Sequence, residues 1–169
     1  MLLSRFYGST TGTTARVANE IAKAMGVADA DVYDVATASP SAVGDYDLLI
    51  FGSSTWGNGD VQDDMMDFLT GVEVLDLKGK KIALFGCGDE TMKDTFCSAV
   101  GEMHDRIAKT GASIIGDYNT IGYKFEHSTA VPEMAVEAEG LLIDETNHPD
   151  MTAGRVKAWT EMLKKEAEG

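Results

Sequence analysis

The segment YGSTTGTT, residues 7–14, points to the fold and to a binding site. It follows an apolar stretch, Leu2–Tyr7, and precedes ARVANEIAKAM, residues 15–25, which has the periodicity of a helix. A turn rich in glycine and hydroxyl groups between a strand and a helix favours an anion, because its backbone N–H groups and the helix start both attract negative charge. The segment has no Lys or Arg, so neutral donors would hold a phosphate there. The alternative is an ordinary helix start capped by Ser or Thr.

The rest of the chain alternates predicted strands and helices. The runs LLIF and IALF are continuously apolar, as in strands that are covered on both faces. Five strands alternating with helices predict an α/β fold, a three-layer sandwich with a five-stranded parallel sheet and helices on both faces. Residues 119–140 look like an insertion in or beside the last strand. The predicted strands are Leu2–Tyr7, Asp31–Val35, Tyr46–Gly52, Lys81–Gly86 and Ser113–Asp117, with a short second piece at Leu141–Ile143, and the predicted helices are Thr13–Met25, Val61–Leu69, Thr95–Lys109 and Thr152–Glu166.

Length and charge narrow the class of protein. The 169 residues predict a single domain, 1–169. The net charge of −14 argues against a nucleic-acid binder and against docking on an anionic membrane, since both need a basic face. We expect neither a signal peptide nor a membrane span. The two cysteines and three histidines show no metal-ligand or disulfide spacing, which fits a reducing cytoplasm.

Three segments that follow predicted strands carry unusual residues. They are GSTTGTT (8–14), SSTWGNGDVQDD (53–64) and GCGDETMKDTF (86–96). In a parallel sheet the carboxyl ends of the strands share one edge, so a single small molecule could touch all three segments. The motifs GxxxxGK[ST] and GxGxxG are absent, which argues against phosphoryl transfer and against a dinucleotide site. Trp56 in a glycine-rich loop suits stacking on a flat ligand, or else caps the edge of the core.

Together these segments resemble the flavodoxins, in particular the long-chain type, over essentially the whole chain. The motif [ST]xTGxT is matched by Ser9, Thr11, Gly12 and Thr14. STWGNGDVQDD is similar to the Trp-bearing flavin loop of the family, and FGCGD to its third flavin loop. YNTIGYKFEHSTA resembles the insertion of long-chain members, and LIDETNHPDMTAGRVKAW resembles their closing segment.

The resemblance implies a cofactor and its contacts. The cofactor would be FMN, bound without a covalent bond, and Trp56 would stack on its isoalloxazine ring. Met92 stands near the place of a second stacking residue, usually Tyr, in a loop that is one residue shorter than in many relatives. Phe96 and Cys97 are further candidates near the flavin. The resemblance assigns the phosphate to Ser9, Thr10, Thr11, Gly12, Thr13 and Thr14, the ring to Ser54, Thr55, Gly57, Asn58 and Gly59, and the pyrimidine edge to Cys87, Gly88 and Asp89.

The resemblance also implies a function. The chain would be a low-potential one-electron carrier that cycles through the neutral semiquinone and the hydroquinone. It would be an electron-transfer protein rather than an enzyme, and a monomer. Its partners would be redox proteins with basic docking surfaces, such as ferredoxin–NADP reductase or pyruvate oxidoreductase. The alternative is an FMN-dependent NAD(P)H or quinone reductase on the same fold. A receiver-type signalling module is excluded, because Gly8–Ser9 and Gly52–Ser53 stand where it needs acidic residues.

Two positions depart from expectation. Thr146 stands after the last strand, where long-chain relatives often have Asp. Arg5 falls inside a strand that we predict to be buried, and we expect its guanidinium to reach a strand edge or to extend to the surface.

Overall fold

The computed structural model describes residues 3–8, 12–56 and 59–168, without the side chain of Trp56. Within these ranges the chain alternates strands and helices, as the pattern of apolar runs predicts. The strands are β1 Leu3–Gly8, β2 Val32–Asp34, β3 Leu48–Trp56, β4 Asp60–Val61, β5 Lys81–Cys87, β6 Ser113–Ile115 and β7 Leu141–Ile143; the helices are α1 Thr13–Met25, α2 Asp63–Val72, α3 Ala99–Ala108 and α4 Pro149–Glu168.

The main sheet has the strand order β2-β1-β3-β5-β6, and all of these pairs are parallel. The order reverses direction between β1 and β3, because the chain moves outward to β2 on one side and to β5 on the other. In such sheets ligands bind outside the carboxyl ends of the strands, at the point where the order reverses. The topology therefore places a candidate site beside Gly8 and Ser53, which pair at that edge.

The last strand of the sheet is divided in two. β6 pairs with the first half of β5, beginning with Ser113 beside Lys81, and β7 pairs with the second half, ending with Ile143 beside Cys87. The residues between them leave the sheet and return, with a single bridge between Tyr118 and Ala138. The predicted insertion in the last strand is confirmed.

Helices cover both faces of the sheet, so there are two cores. On one face α1 and α4 pack over Ile50 and Phe85 of the sheet, and Trp159 of α4 lies in this core. On the other face α2 and α3 pack over Phe6 and Phe51, together with part of the insertion. The predicted three-layer sandwich is confirmed. Among the described helices, none combines the length and the apolar character that crossing a bilayer would need.

Some boundaries differ from the sequence prediction for local reasons. β3 continues to Trp56, well past the predicted end, because its last residues pair antiparallel with β4. Val61 therefore belongs to a strand, and α2 begins at Asp63, where the Gln62 side chain accepts a hydrogen bond from the Met65 N–H. α3 begins at Ala99 instead of Thr95, since turns occupy the preceding residues.

The expectation for Arg5 is wrong. Its side chain reaches neither the strand edge nor the surface, because the residue is completely buried in β1. Burial lowers the pKa of its guanidinium to about 10.

Candidate functional site

A cleft lies at the carboxyl ends of the central strands, where the topology predicts it. Its volume is about 240 Å³. The walls come from the start of α1, the last part of β3, the end of β5 and the residues after β7. The lining residues are Thr13, Ser54, Thr55, Cys87, Gly88, Asp89, Glu145 and Thr146.

The start of α1 forms one side of the cleft. Gly12 is the residue that begins the helix, with φ of +92°, and no side chain of the described residues caps it. The hydroxyl of Thr14 is buried and has no hydrogen-bond partner within the described residues. The nearby Cys87 thiol does not meet that need, because sulfur is a weak hydrogen-bonding group. The start of α1, which no described side chain caps, is therefore a candidate anion site.

The second predicted loop is the hairpin between β3 and β4. Thr55 pairs with Val61 and Trp56 with Asp60, so β3 and β4 are antiparallel neighbours, and the predicted Gly57–Asn58 turn lies outside the described residues. Ser54 and Thr55 line the cleft, and the Thr55 hydroxyl accepts a hydrogen bond from the Ala99 N–H at 3.2 Å. Ser9, Thr10, Thr11, Gly57, Asn58 and the Trp56 side chain, which the sequence assigns to the site, lie outside the described part of the chain.

The third predicted loop closes the other side of the cleft. The Gly88 N–H donates to the Ile143 carbonyl at 2.9 Å, which ties the loop to β7. Burial raises the pKa of the Cys87 thiol to about 12, so the thiol stays protonated at neutral pH. The Thr91 hydroxyl and N–H lower the pKa of Asp89, whose Oδ1 accepts both hydrogen bonds. The wall therefore presents a neutral thiol and a fixed negative charge.

The remaining predicted contacts do not line this cleft. Met92 is half exposed, with 51% of its surface accessible. Phe96 and Cys97 have no exposed surface. The Phe96 ring packs against Tyr123 and Phe125, and the Cys97 sulfur lies 3.7 Å from the Gly86 carbonyl oxygen. Both side chains pack behind the third loop. Because neither has exposed surface, neither can touch a ligand in this conformation.

Glu145 is a site residue that no sequence motif indicated, and Thr146, which stands where long-chain relatives often have Asp, is a second one. Both line the cleft, because β7 pairs with β5 and its end therefore reaches the same edge of the sheet. The signal was present in the short apolar run at 141–143, whose carboxyl end had to lie with the others.

A second cleft, of about 410 Å³, opens between Gly59, the start of α3 and the insertion. It is larger, but its lining contains Asp94, Glu102 and Asp105 and no residue of α1, so it offers no helix start to a phosphate. It also lies away from the strand ends and from the start of α1. The smaller cleft is therefore the candidate site.

Comparison with known proteins agrees with this fold. The Flavodoxin family model matches residues 6–159. The chain is 41% identical over 162 residues to Flavodoxin 1 of Escherichia coli strain K12, covering 95% of this chain and 92% of that protein. It is 40% identical to a flavodoxin of Haemophilus influenzae, covering 96% and 93%. The crystal structure of Fusobacterium nucleatum flavodoxin bound to flavin mononucleotide superimposes with a TM-score of 0.89 and 27% identity, covering 97% of both chains. The chain belongs to the flavodoxin family.

Proposed function

We propose that this protein is a one-electron carrier that binds FMN without a covalent bond in the cleft at the strand ends. It is an electron-transfer protein and not an enzyme. The family supports this, and so does the fold, since the cleft lies at the carboxyl ends of β3 and β5 beside the start of α1, next to the reversal of strand order where a flavodoxin-like sheet holds FMN. FMN supplies the one-electron chemistry, and the chain supplies binding, orientation and electrostatics. We propose one domain, 1–169, of the long-chain type.

The start of α1 is the observation that carries the proposal. A helix start that no described side chain caps, next to a buried hydroxyl with no hydrogen-bond partner in the same part of the chain, has donors to offer to a ligand. A phosphate would accept from the helix N–H groups and from the Thr14 hydroxyl, which satisfies groups that are costly to leave unpaired. Gly12 at φ +92° lets the chain enter the helix without a Cβ in the turn. We propose that Ser9, Thr10, Thr11, Gly12, Thr13 and Thr14 hold the phosphate.

The opposite walls suit the flavin ring. Ser54 and Thr55 would lie along it, Cys87, Gly88 and Asp89 would meet its pyrimidine edge, and Trp56 would stack on it. Asp89 and Glu145 place carboxylates around the cleft, and no cationic side chain lines it among the described residues. This environment disfavours added negative charge on the flavin and so lowers its potential, since about 1.4 kcal/mol corresponds to roughly 59 mV for one electron.

Redox proteins are the partners that the family implies. We propose that those partners present basic surfaces, of the ferredoxin–NADP reductase or pyruvate oxidoreductase kind, because the net charge of −14 would steer them toward this protein. We propose a monomer in the cytoplasm. Both cysteines are free and buried, which is compatible with a reducing compartment.

The proposal is tested by reconstitution. The purified protein mixed with FMN should retain a yellow chromophore through gel filtration and should bleach with dithionite in two separate one-electron steps. NAD(P)H without a partner reductase should leave it oxidised. A protein that releases FMN on the column contradicts the proposal, and direct turnover of NAD(P)H would favour a reductase instead.

A further inference from the structure

The carboxyl group of Asp144 connects two loops behind the cleft. The residue follows β7 directly and is completely buried. Its Oδ2 atom accepts hydrogen bonds from the Glu90 N–H at 3.0 Å and from the Asn147 side-chain amide at 2.9 Å, while Oδ1 accepts from the Asn147 N–H at 2.9 Å. One carboxyl group therefore holds both the turn after β7 and the loop after β5.

Two more contacts join the same loops. The Asn147 amide that donates to Asp144 also donates to Oδ1 of Asp89, at 2.7 Å. His148 Nε2 lies 2.8 Å from Oε1 of Glu90. The other oxygen of Glu90 accepts from the backbone N–H of Lys124 at 2.7 Å, which brings the insertion into the contact.

We infer that Asp144, Asn147 and His148 form a clamp that positions residues 88–90 against the flavin ring. Gly88 and Asp89 line the cleft, whereas no residue of the clamp does. The clamp therefore acts through the loop and not by touching the ligand. The inference rests on the proposed function. It means that the segment after β7 positions the flavin-binding loop, in addition to completing the sheet.

The same atoms could be taken for a metal site, because one ligand atom each of Glu90, Asp144 and His148 lie within 4.8 Å of one another. The hydrogen bonds argue for the clamp. Both oxygens of Asp144 and both oxygens of Glu90 already accept from N–H groups or face the His148 ring. An ion would have to displace these donors, which themselves fix the loop.

Asn147→Ala is the variant that tests the clamp most directly. Asn147 is exposed, so its truncation removes the hydrogen bond to Asp89 in the loop and the one to Asp144 without opening a cavity. The matched control is Asn119→Ala, which also removes two contacts of an Asn side chain, to Arg155 and to the Ile121 N–H, but at the insertion and away from residues 88–90. The two variants and the parent are titrated with FMN and with riboflavin, which lacks the phosphate.

We expect Asn147→Ala to weaken FMN and riboflavin binding by the same factor, about three- to tenfold, because the clamp acts on the ring and not on the phosphate. Asn147→Asp should weaken both further, since it places a third carboxylate against Asp89 and Asp144. The N3–H signal of bound ¹⁵N-labelled FMN should shift in the Asn147 variants and stay in place in Asn119→Ala.

Three outcomes overturn the clamp. The first is an Asn147→Ala variant that keeps the parental flavin affinity and an unshifted N3–H signal. The second is an Asn119→Ala variant whose flavin affinity falls as much as that of Asn147→Ala. The third is an Asn147→Ala variant that loses affinity for FMN but not for riboflavin. Added Zn²⁺ that binds the parent stoichiometrically and is lost in His148→Ala would assign the cluster to a metal instead. A parent protein that binds no flavin refutes the proposed function itself, which keeps the two failures distinct.

Discussion

The Nη2 atom of Arg5 lies 3.4 Å from Oδ1 of Asn19, at the long end of the hydrogen-bonding range. The Nε and Nη1 atoms have no partner within the described residues. No carboxylate is among the groups that shift the pKa of Arg5, which burial lowers to about 10. A buried and mostly unpaired charge of this kind costs folding free energy at every pH below that value.

Replacing Arg5 by Met should therefore stabilise the protein. We expect the free energy of unfolding to rise by about 1–3 kcal/mol, because an apolar side chain of similar length removes the desolvation cost. The measurement is denaturant unfolding of the apoprotein at pH 7.

Arg155→Met is the matched control and should have the opposite sign. Arg155 is also buried, but it donates to the Asn119 carbonyl at 2.6 Å and lies over the rings of Tyr118 and Tyr123. Its loss should lower the free energy of unfolding by about 2–3 kcal/mol. A destabilised Arg5→Met variant would mean that the guanidinium has a partner that stabilises it.

Thr14→Val should separate stability from binding. The change keeps the shape of the side chain and removes a buried hydroxyl that has no hydrogen-bond partner among the residues the structure describes. The apoprotein should become slightly more stable, while FMN should bind more weakly by about 1–3 kcal/mol. Fluorescence titration measures the affinity, and Thr14→Ser, which keeps the hydroxyl, should stay close to the parent. Riboflavin affinity should not change, and an equal loss for both ligands would place Thr14 away from the phosphate.

Most of the fold could be predicted because its signals are local. The apolar runs at residues 48–51 and 82–85 and the helical period of residues 13–25 need no knowledge of distant residues. The site was partly predictable, since Thr13, Ser54, Thr55, Cys87, Gly88 and Asp89 come after the predicted ends of strands and line the cleft.

The missed features depend on pairings between segments that lie far apart in sequence. The sequence around Asp144 is typical of a surface residue. Its burial follows from the pairing of β7 with β5, which brings its carboxyl group within hydrogen-bonding distance of the Glu90 N–H. The fully buried position of Phe96 depends on the insertion packing against its ring, and that of Cys97 depends on the ends of β5 and β7 beside its sulfur. No periodicity within one segment carries that information.

Gly57→Val should lower the first one-electron midpoint potential of the bound flavin. Residues 57–59 connect β3 to β4, and we predict that the Gly57–Asn58 peptide turns its carbonyl toward flavin N5 after reduction. A β-branched residue opposes the required φ > 0, so the hydrogen bond is lost, which corresponds to about 20–60 mV. Spectroelectrochemical titration measures the shift. Gly44→Val, at a position where a Cβ meets nothing within 4 Å, is the control. An unchanged first potential would exclude this turn as the switch.

Glu139 should make stability fall as the pH rises. Desolvation, with smaller contributions from Asp105 and Asp117, raises the pKa of its carboxyl to about 7. His104 Nδ1 lies 3.3 Å from Oε2 and would oppose this shift when protonated, but the desolvation of a side chain that is only 15% exposed is the larger effect. A carboxyl whose folded pKa is raised favours the folded state below its unfolded pKa, and that contribution is lost between about pH 4.5 and pH 7.

Glu139→Gln removes the titrating group and should flatten this dependence. At pH 8 we expect the variant to be about 1 kcal/mol more stable than the parent, after allowance for partial solvent screening. At pH 5 the difference should shrink toward zero, because the parent carboxyl is then protonated in the folded state. Urea unfolding at the two pH values provides the comparison, with the exposed Glu137→Gln as the control that should track the parent at both. A variant that is less stable than the parent at pH 8 would show that the ion pair with His104 outweighs desolvation, which would reverse the sign of the pH dependence assigned to Glu139.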